Sequence, residues 1–227
     1  MKLQDNYLSD IEAVLFDWDG VVIDSKSQHE RSWNRMAATY DLPLPEGHFL
    51  KGFGKRNEEI IPDILGWSTT AEETQKWADL KEEMYRELIR EDGIEPLDGV
   101  REFVARLIKC GIRRSIASST PRANIQCSLE ITGLAPHFEA MTGAEDVSNG
   151  KPAPDVFFQA AEKVGADPTK CIVLEDSFSG IEAGKNAGAF VIGIATTNPI
   201  ESLTMADWAV HSLHEIEVTA HGFFKRS

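Results

Sequence analysis

Cations are scarce in this chain. Twenty-three Lys and Arg stand against 37 Asp and Glu over 227 residues, a formal charge of −14 with histidine neutral. Nucleic acid and anionic membrane surfaces repel such a molecule, so neither is an expected partner. Small anions remain open, because a few local cations hold them. Cysteine is scarce too: Cys110, Cys127 and Cys171 are odd in number, far apart and set in apolar surroundings. No pair has metal-ligand spacing, so reduced core residues are expected. No run is long and apolar enough to span a bilayer and no amino-terminal signal peptide is read, which makes a cytoplasmic protein the expectation. Repeats and low-complexity segments are lacking. What remains is ordinary, 42 % apolar and 26 % charged, enough for one good core or a core plus a small accessory module.

Short apolar, β-rich runs alternate with amphipathic segments. Strands are expected at 13–16, 114–117, 171–174, 190–194 and 208–210, with a weaker one near 138–142. Helices are expected at 100–110, 121–132, 154–164 and 180–187. Several runs are continuously apolar, which suits strands buried on both faces. The alternation predicts an α/β fold, a Rossmann-like parallel sheet with helices on both faces. Between 25 and 92 the rhythm breaks into helical stretches near 27–40, 57–65 and 71–90. The last opens with Ser68-Thr69-Thr70 and carries Glu72 and Glu73 in its first turn. This block reads as an inserted α-helical cap domain, residues 25–92, within a core domain of residues 1–24 and 93–227, and is placed to act as a lid. From about His214 onward a helical or frayed tail is expected.

The chemistry gathers where strands run into helices. The stretch Glu12-Ala-Val-Leu-Phe-Asp17-Trp-Asp19-Gly20 ends an apolar run in two carboxylates two residues apart. Residues i and i+2 of a strand share a face, so Asp17 and Asp19 leave the sheet together at its carboxyl end, where open α/β sheets bind ligands. Ser118 and Ser119 follow the run Ile116-Ala117 and precede Pro121, where hydroxyls and a helix start can receive an anion. Lys151 precedes Pro152 and Pro154, which restrict its backbone. Cys171-Ile-Val-Leu174-Glu175-Asp176-Ser177 repeats the opening pattern of strand and two acids. Gly180, Gly184 and Gly188 are spaced to line one helix face packed close to the sheet. Carboxylates beside a lysine and a serine form a hard-cation site next to an anion site; oxygen ligands select Mg²⁺, and the set points to phosphoryl transfer.

Taken in order, DxDGVxxDS, Ser118, Lys-Pro-x-Pro-Asp and Glu-Asp-Ser-x-x-Gly-Ile resemble the haloacid dehalogenase-like (HAD-like) hydrolase superfamily, over about residues 12–198. The chain looks most like the branch with a helical cap after the first strand, which holds β-phosphoglucomutase and many small-metabolite phosphatases. The resemblance implies that Asp17 attacks phosphorus and becomes an aspartyl phosphate, while Asp19 protonates the leaving oxygen and later activates water or a second hydroxyl. It implies that Ser118, Ser119 and Lys151 hold the phosphoryl group, and that Mg²⁺ is bound by Asp17, the backbone carbonyl of Asp19 and Asp176, with Glu175 ligating directly or through water. In the cap it points to His29, Lys81 and the loop Lys51-Gly52-x-Gly54-Lys55-Arg56. Pro121 and Arg122 stand where the mutase has lysine and asparagine, and the Lys51 loop is a residue or two longer; both count against mutase activity. The expected protein is a Mg²⁺-dependent phosphatase of a small phosphorylated metabolite, a sugar phosphate, working as a monomer or weak dimer. A β-phosphoglucomutase-like enzyme is the alternative, and a receiver-like phosphoacceptor module the alternative from another class.

Overall fold

The computed structural model describes residues 2–4, 7–52 and 55–226. It divides into two compact units, Met1–Asp24 with Glu95–Ser227, and Ser25–Ile94. In chain order, the first unit opens with strands β1 (Lys2–Gln4), β2 (Tyr7–Ser9) and β3 (Ala13–Phe16). The second unit supplies helices α1 (Lys26–Tyr40), α2 (His48–Gly52), α3 (Asn57–Glu59) and α4 (Ala71–Asp92). The first unit then resumes with α5 (Val100–Lys109), β4 (Arg113–Ala117), α6 (Arg122–Thr132), β5 (Ala140–Thr142), α7 (Asp155–Lys163) and β6 (Cys171–Glu175). It ends with α8 (Phe178–Asn186), β7 (Phe190–Ile194), β8 (Trp208–Val210), β9 (Ile216–Thr219) and β10 (Gly222–Lys225).

Six strands form a sheet in the order β5-β4-β3-β6-β7-β8, every pairing parallel. The central strand β3 is buried at all four residues, as a parallel strand covered on both faces must be. Its side chains divide between the faces. Ala13 and Leu15 join Ala117, Val173 and Val191 against Phe157, Ala160 and Ile181 of α7 and α8. Phe16 points the other way, edge-on to Phe103 of α5 with ring centroids 6.2 Å apart. Cys127 and Cys171 are buried and Cys110 half-buried; burial pushes the Cys171 thiol up to about 12, so it is inert at neutral pH.

The expected tail is a correction. After a short turn at Leu213–Glu215, residues 216–225 form the antiparallel hairpin β9–β10, and β10 pairs with β2 through Phe223↔Leu8. The result is a second sheet, β1-β2-β10-β9. Ile216, Val218 and Phe223 are buried, the period-two pattern of a strand rather than a frayed end.

In the second unit, α1 packs on α4. Thr70 caps α4 by accepting from the Glu73 N–H at 3.2 Å, as its sequence predicts. The helix expected over 57–65 breaks in two: α3 gives way to a π-helical turn, Ile60–Leu65. Pro62 lies inside it and has no N–H to give, which disfavours regular α-helical bonding there. Among the described residues no helix is long and apolar enough to cross a membrane.

Candidate active site

Register brings the acids together. Phe16 lies opposite Leu174 across the β3–β6 pair, so the residues that follow, Asp17 and Glu175, emerge side by side. The Asp17 N–H donates to the Leu174 carbonyl at 3.0 Å and locks that alignment. Lys151 reaches both: its Nζ donates to Asp17 Oδ1 at 2.7 Å and to Glu175 Oε1 at 2.6 Å. The other Glu175 oxygen accepts the N–H groups of Asp176 and Ser177 and the Ser177 hydroxyl, each at 2.9 Å. Gly180 makes room for this carboxylate, since a Cβ there would lie 1.7 Å from Glu175 Oε1. Gly184 approaches the sheet as expected, where a Cβ would meet Val191 at 2.8 Å and Val173 at 3.1 Å. Gly188 does not share that face; α8 ends at Asn186 and Gly188 turns the chain at φ +76°.

Asp17, Glu175 and Asp176 each present a carboxylate oxygen within 4.8 Å of the others, and all three are buried. Asp19 is not in that group. Its carboxylate accepts the Thr120 hydroxyl instead. Ser118 is buried, its N–H on the Thr142 carbonyl at 3.0 Å and its hydroxyl accepting the Thr120 N–H at 3.1 Å; Ser119 is half-buried beside it. Trp18, between the two aspartates, turns into the core and donates to Ser128 at 2.8 Å.

The electrostatics ask for a cation. Burial, reinforced by the charges of Glu175 and Asp19 and opposed by Lys151, pushes the Asp17 carboxyl up to about 7. Burial and the neighbouring Glu175 and Asp17 push Asp176 well above the usual carboxylate range. Burial alone would lower the Lys151 ammonium, but Asp17 and Glu175 outweigh it and hold Lys151 above its ordinary value. Three buried carboxylates against one ammonium, all offering oxygen, fit a hard divalent ion such as Mg²⁺. The sign for stability follows from Asp17. Its folded value lies above the ordinary 3.8, so in metal-free protein stability is lost as pH rises from about 4 to about 7. Mg²⁺ is therefore expected to raise the melting temperature more at about pH 8 than at about pH 5.5, by scanning fluorimetry after chelation. Equal shifts at both would count against a cation on these acids.

The expected cap residues lie in the second unit. Lys81 is not a solvated surface cation: it is 3 % exposed, and its Nζ donates to Glu82 Oε1 and to His29 Nδ1, both at 2.9 Å. His29 stacks on Tyr85 with centroids 4.1 Å apart. Burial opposes ionisation of Glu82, but Lys81, His29 and Asn57 outweigh it and hold the carboxyl at about 2. Lys51 and Lys55 are exposed and Arg56 half-buried; Lys55 pairs loosely with Glu59 at 3.8 Å and Arg56 with Glu58 at 3.9 Å. Gly54 and its neighbour Phe53 fall outside the described residues. Arg122, in the first unit, is engaged by Asp146 at 3.3 Å. Four residues escaped the sequence reading: Thr120 on Asp19, Thr196 on the Gly20 carbonyl, Thr197 on the Asp176 carboxylate, and Asn198 on the Asp176 carbonyl. Their one signal was position at the ends of strands β4 and β7.

A Rossmann-type sheet with acids and a lysine gathered at the carboxyl ends of its strands places this chain among the α/β enzymes. Residues 11–188 match the model of the haloacid dehalogenase-like hydrolases, and the chain belongs to that family. Hexitol phosphatase A of Escherichia coli is 31 % identical over 208 residues, 92 % of this chain and 94 % of that protein. β-Phosphoglucomutase of Bacillus subtilis is 30 % identical over 218 residues, 90 % of this chain and 95 % of that protein. The chloroplastic 5-amino-6-(5-phospho-D-ribitylamino)uracil phosphatase of Arabidopsis thaliana is 30 % identical over 209 residues, 91 % of this chain; the chain spans 56 % of that protein's length. The crystal structure of a HAD hydrolase, family IA, variant 3, from Entamoeba histolytica superposes with a TM-score of 0.83 at 33 % identity, covering 92 % of this chain and 97 % of that one.

Proposed function

We propose that the protein is a Mg²⁺-dependent phosphatase of a small phosphorylated metabolite, a sugar or polyol phosphate, acting through an aspartyl phosphate. The observation that carries the reading is the buried Asp17–Lys151–Glu175 contact with a second carboxylate, Asp19, two residues on. An oxygen of Asp17 forms the new bond to phosphorus as the ester oxygen leaves. Asp19 gives that oxygen its proton, then takes one from the water that attacks the aspartyl phosphate, releasing phosphate and restoring Asp17. Lys151 and Ser118 hold phosphoryl oxygens, and Lys151 meets the charge that develops on them. Asp17, Glu175 and Asp176 would hold Mg²⁺, which when bound supplies further charge neutralisation to the phosphoryl oxygens. Hexitol phosphatase A and the chloroplastic phosphatase support the substrate class by their names. Similarity to β-phosphoglucomutase supports a second reading, transfer of the phosphoryl group back to a sugar hydroxyl.

One experiment separates them. Phosphate release is measured with Mg²⁺ across a panel of sugar and polyol phosphates that includes β-glucose 1-phosphate. Steady release on a few substrates is expected. Conversion of β-glucose 1-phosphate to the 6-phosphate without release would establish the mutase, and neither activity on any substrate would overturn the reading.

A further inference from the structure

Three consecutive polar side chains leave the end of β7 and turn back onto the site, and the chemistry above uses none of them. Thr196 donates its hydroxyl to the carbonyl of Gly20, in the loop after β3. Thr197 donates its hydroxyl to Asp176 Oδ2, in the loop after β6. Asn198 Nδ2 donates to the Asp176 carbonyl at 2.9 Å. From the other side Gly20 closes on the same carboxylate. A Cβ on Gly20 would stand 2.1 Å from Asp176 Oδ2 and 3.2 Å from Thr197 Oγ1, and its φ is +81°. The Asp176 carboxylate is thus gripped between a glycine Cα and a hydroxyl, with its own main chain tied down by the next residue.

That grip has a physical use. Asp176 faces Asp17 and Glu175, whose charges repel it, and an aspartate with free side-chain torsions would turn away from them. We infer that Thr197 is a positioning residue for the divalent cation, its hydroxyl fixing the Asp176 carboxylate toward the other two acids while Thr196 and Asn198 fasten the surrounding loops. This rests on the Mg²⁺ reading of the site. A ligating carboxylate is commonly held by such an outer hydrogen bond, and losing one costs metal affinity directly.

The test uses the full chain and Mg²⁺ alone as titrant. Thr197→Val keeps the shape and removes the donor; Thr197→Ser keeps the donor. Calorimetric titration is expected to show Mg²⁺ binding weakened roughly 10–100-fold in the valine variant and close to wild type in the serine variant. A hydroxyl that merely fastens a loop would lower the metal-free melting temperature and leave Mg²⁺ affinity unmoved. Thr197→Ala repeats the measurement if the valine variant does not fold. Wild-type affinity in the valine or alanine variant overturns the inference, as does a serine variant no better than valine, or a wild type that binds no Mg²⁺. Thr197-dependent Mg²⁺ binding in a protein that releases no phosphate from any ester would sink the phosphatase reading and leave this inference standing.

Discussion

Asp17→Asn is expected to abolish phosphate release and to leave the fold intact. The amide is close in shape to the carboxylate but is a far poorer nucleophile, so no aspartyl phosphate forms. Losses of roughly 10⁴–10⁶-fold in kcat are the scale for removing a central group of this kind. The fold survives because the local structure does not need the charge. The Asp17 N–H still donates to the Leu174 carbonyl, and Lys151 keeps Glu175 as a partner. Burial resists ionisation of Asp17 so strongly that its carboxyl sits at about 7, and a neutral side chain removes that penalty. Above about pH 7 the metal-free variant should therefore melt at or above the wild type. Phosphate release, the melting temperature after chelation and the mass of the protein quenched with substrate check the three parts. Retained turnover, or a phosphoryl adduct on the Asp17→Asn variant, would remove Asp17 from its role as nucleophile.

Much of the sheet was legible because parallel strands bury both faces and so read as unbroken apolar runs. Ala13–Phe16 and Phe190–Ile194 begin and end where those runs do. The acids were legible for the same reason: a run that stops at Asp17 and another that stops at Glu175 and Asp176 fix both strand ends. What escaped has no local signal. The partner of Phe223 is Leu8, at the other end of the chain, and nothing near 223 announces it. Thr120 and Thr197 lie in short runs of hydroxyl residues in loops, where such residues usually cap or turn; only the fold shows Asp19 and Asp176 within their reach. The Lys81–Glu82 pair was not legible because adjacent helix residues do not face one another. The long Lys81 side chain bends back to Glu82 regardless, and burial against Trp33 and Tyr85 makes a buried ion pair of the two.

Lys151→Met separates what the lysine does for stability from what it does for turnover. Its side chain is 6 % exposed, against 11 % for Asp17 and 0 % for Glu175, so water replaces little of what methionine removes. Breaking a buried ion pair from one side costs about 3–5 kcal/mol, because the opposing charges stay behind unpaired. At roughly 2–4 °C per kcal/mol for a chain of this size, the metal-free variant should melt on the order of 10 °C lower. The sign holds across the assay range. The ammonium is held above its ordinary 10.5, so its contribution is complete below that value and fades only in stronger alkali. Mg²⁺ is expected to recover part of the lost stability, since a divalent ion held by Asp17, Glu175 and Asp176 would offset the same repulsion. It is not expected to recover turnover. The phosphoryl oxygens still lack a donor that stands ready beside Asp17, and removing one such group costs about 10²–10³ in kcat. The expected outcome is a variant that Mg²⁺ stabilises but does not reactivate, read by melting curves and phosphate release on the same samples. Full recovery of both would reduce Lys151 to a counterion for the acids and remove it from the phosphoryl site.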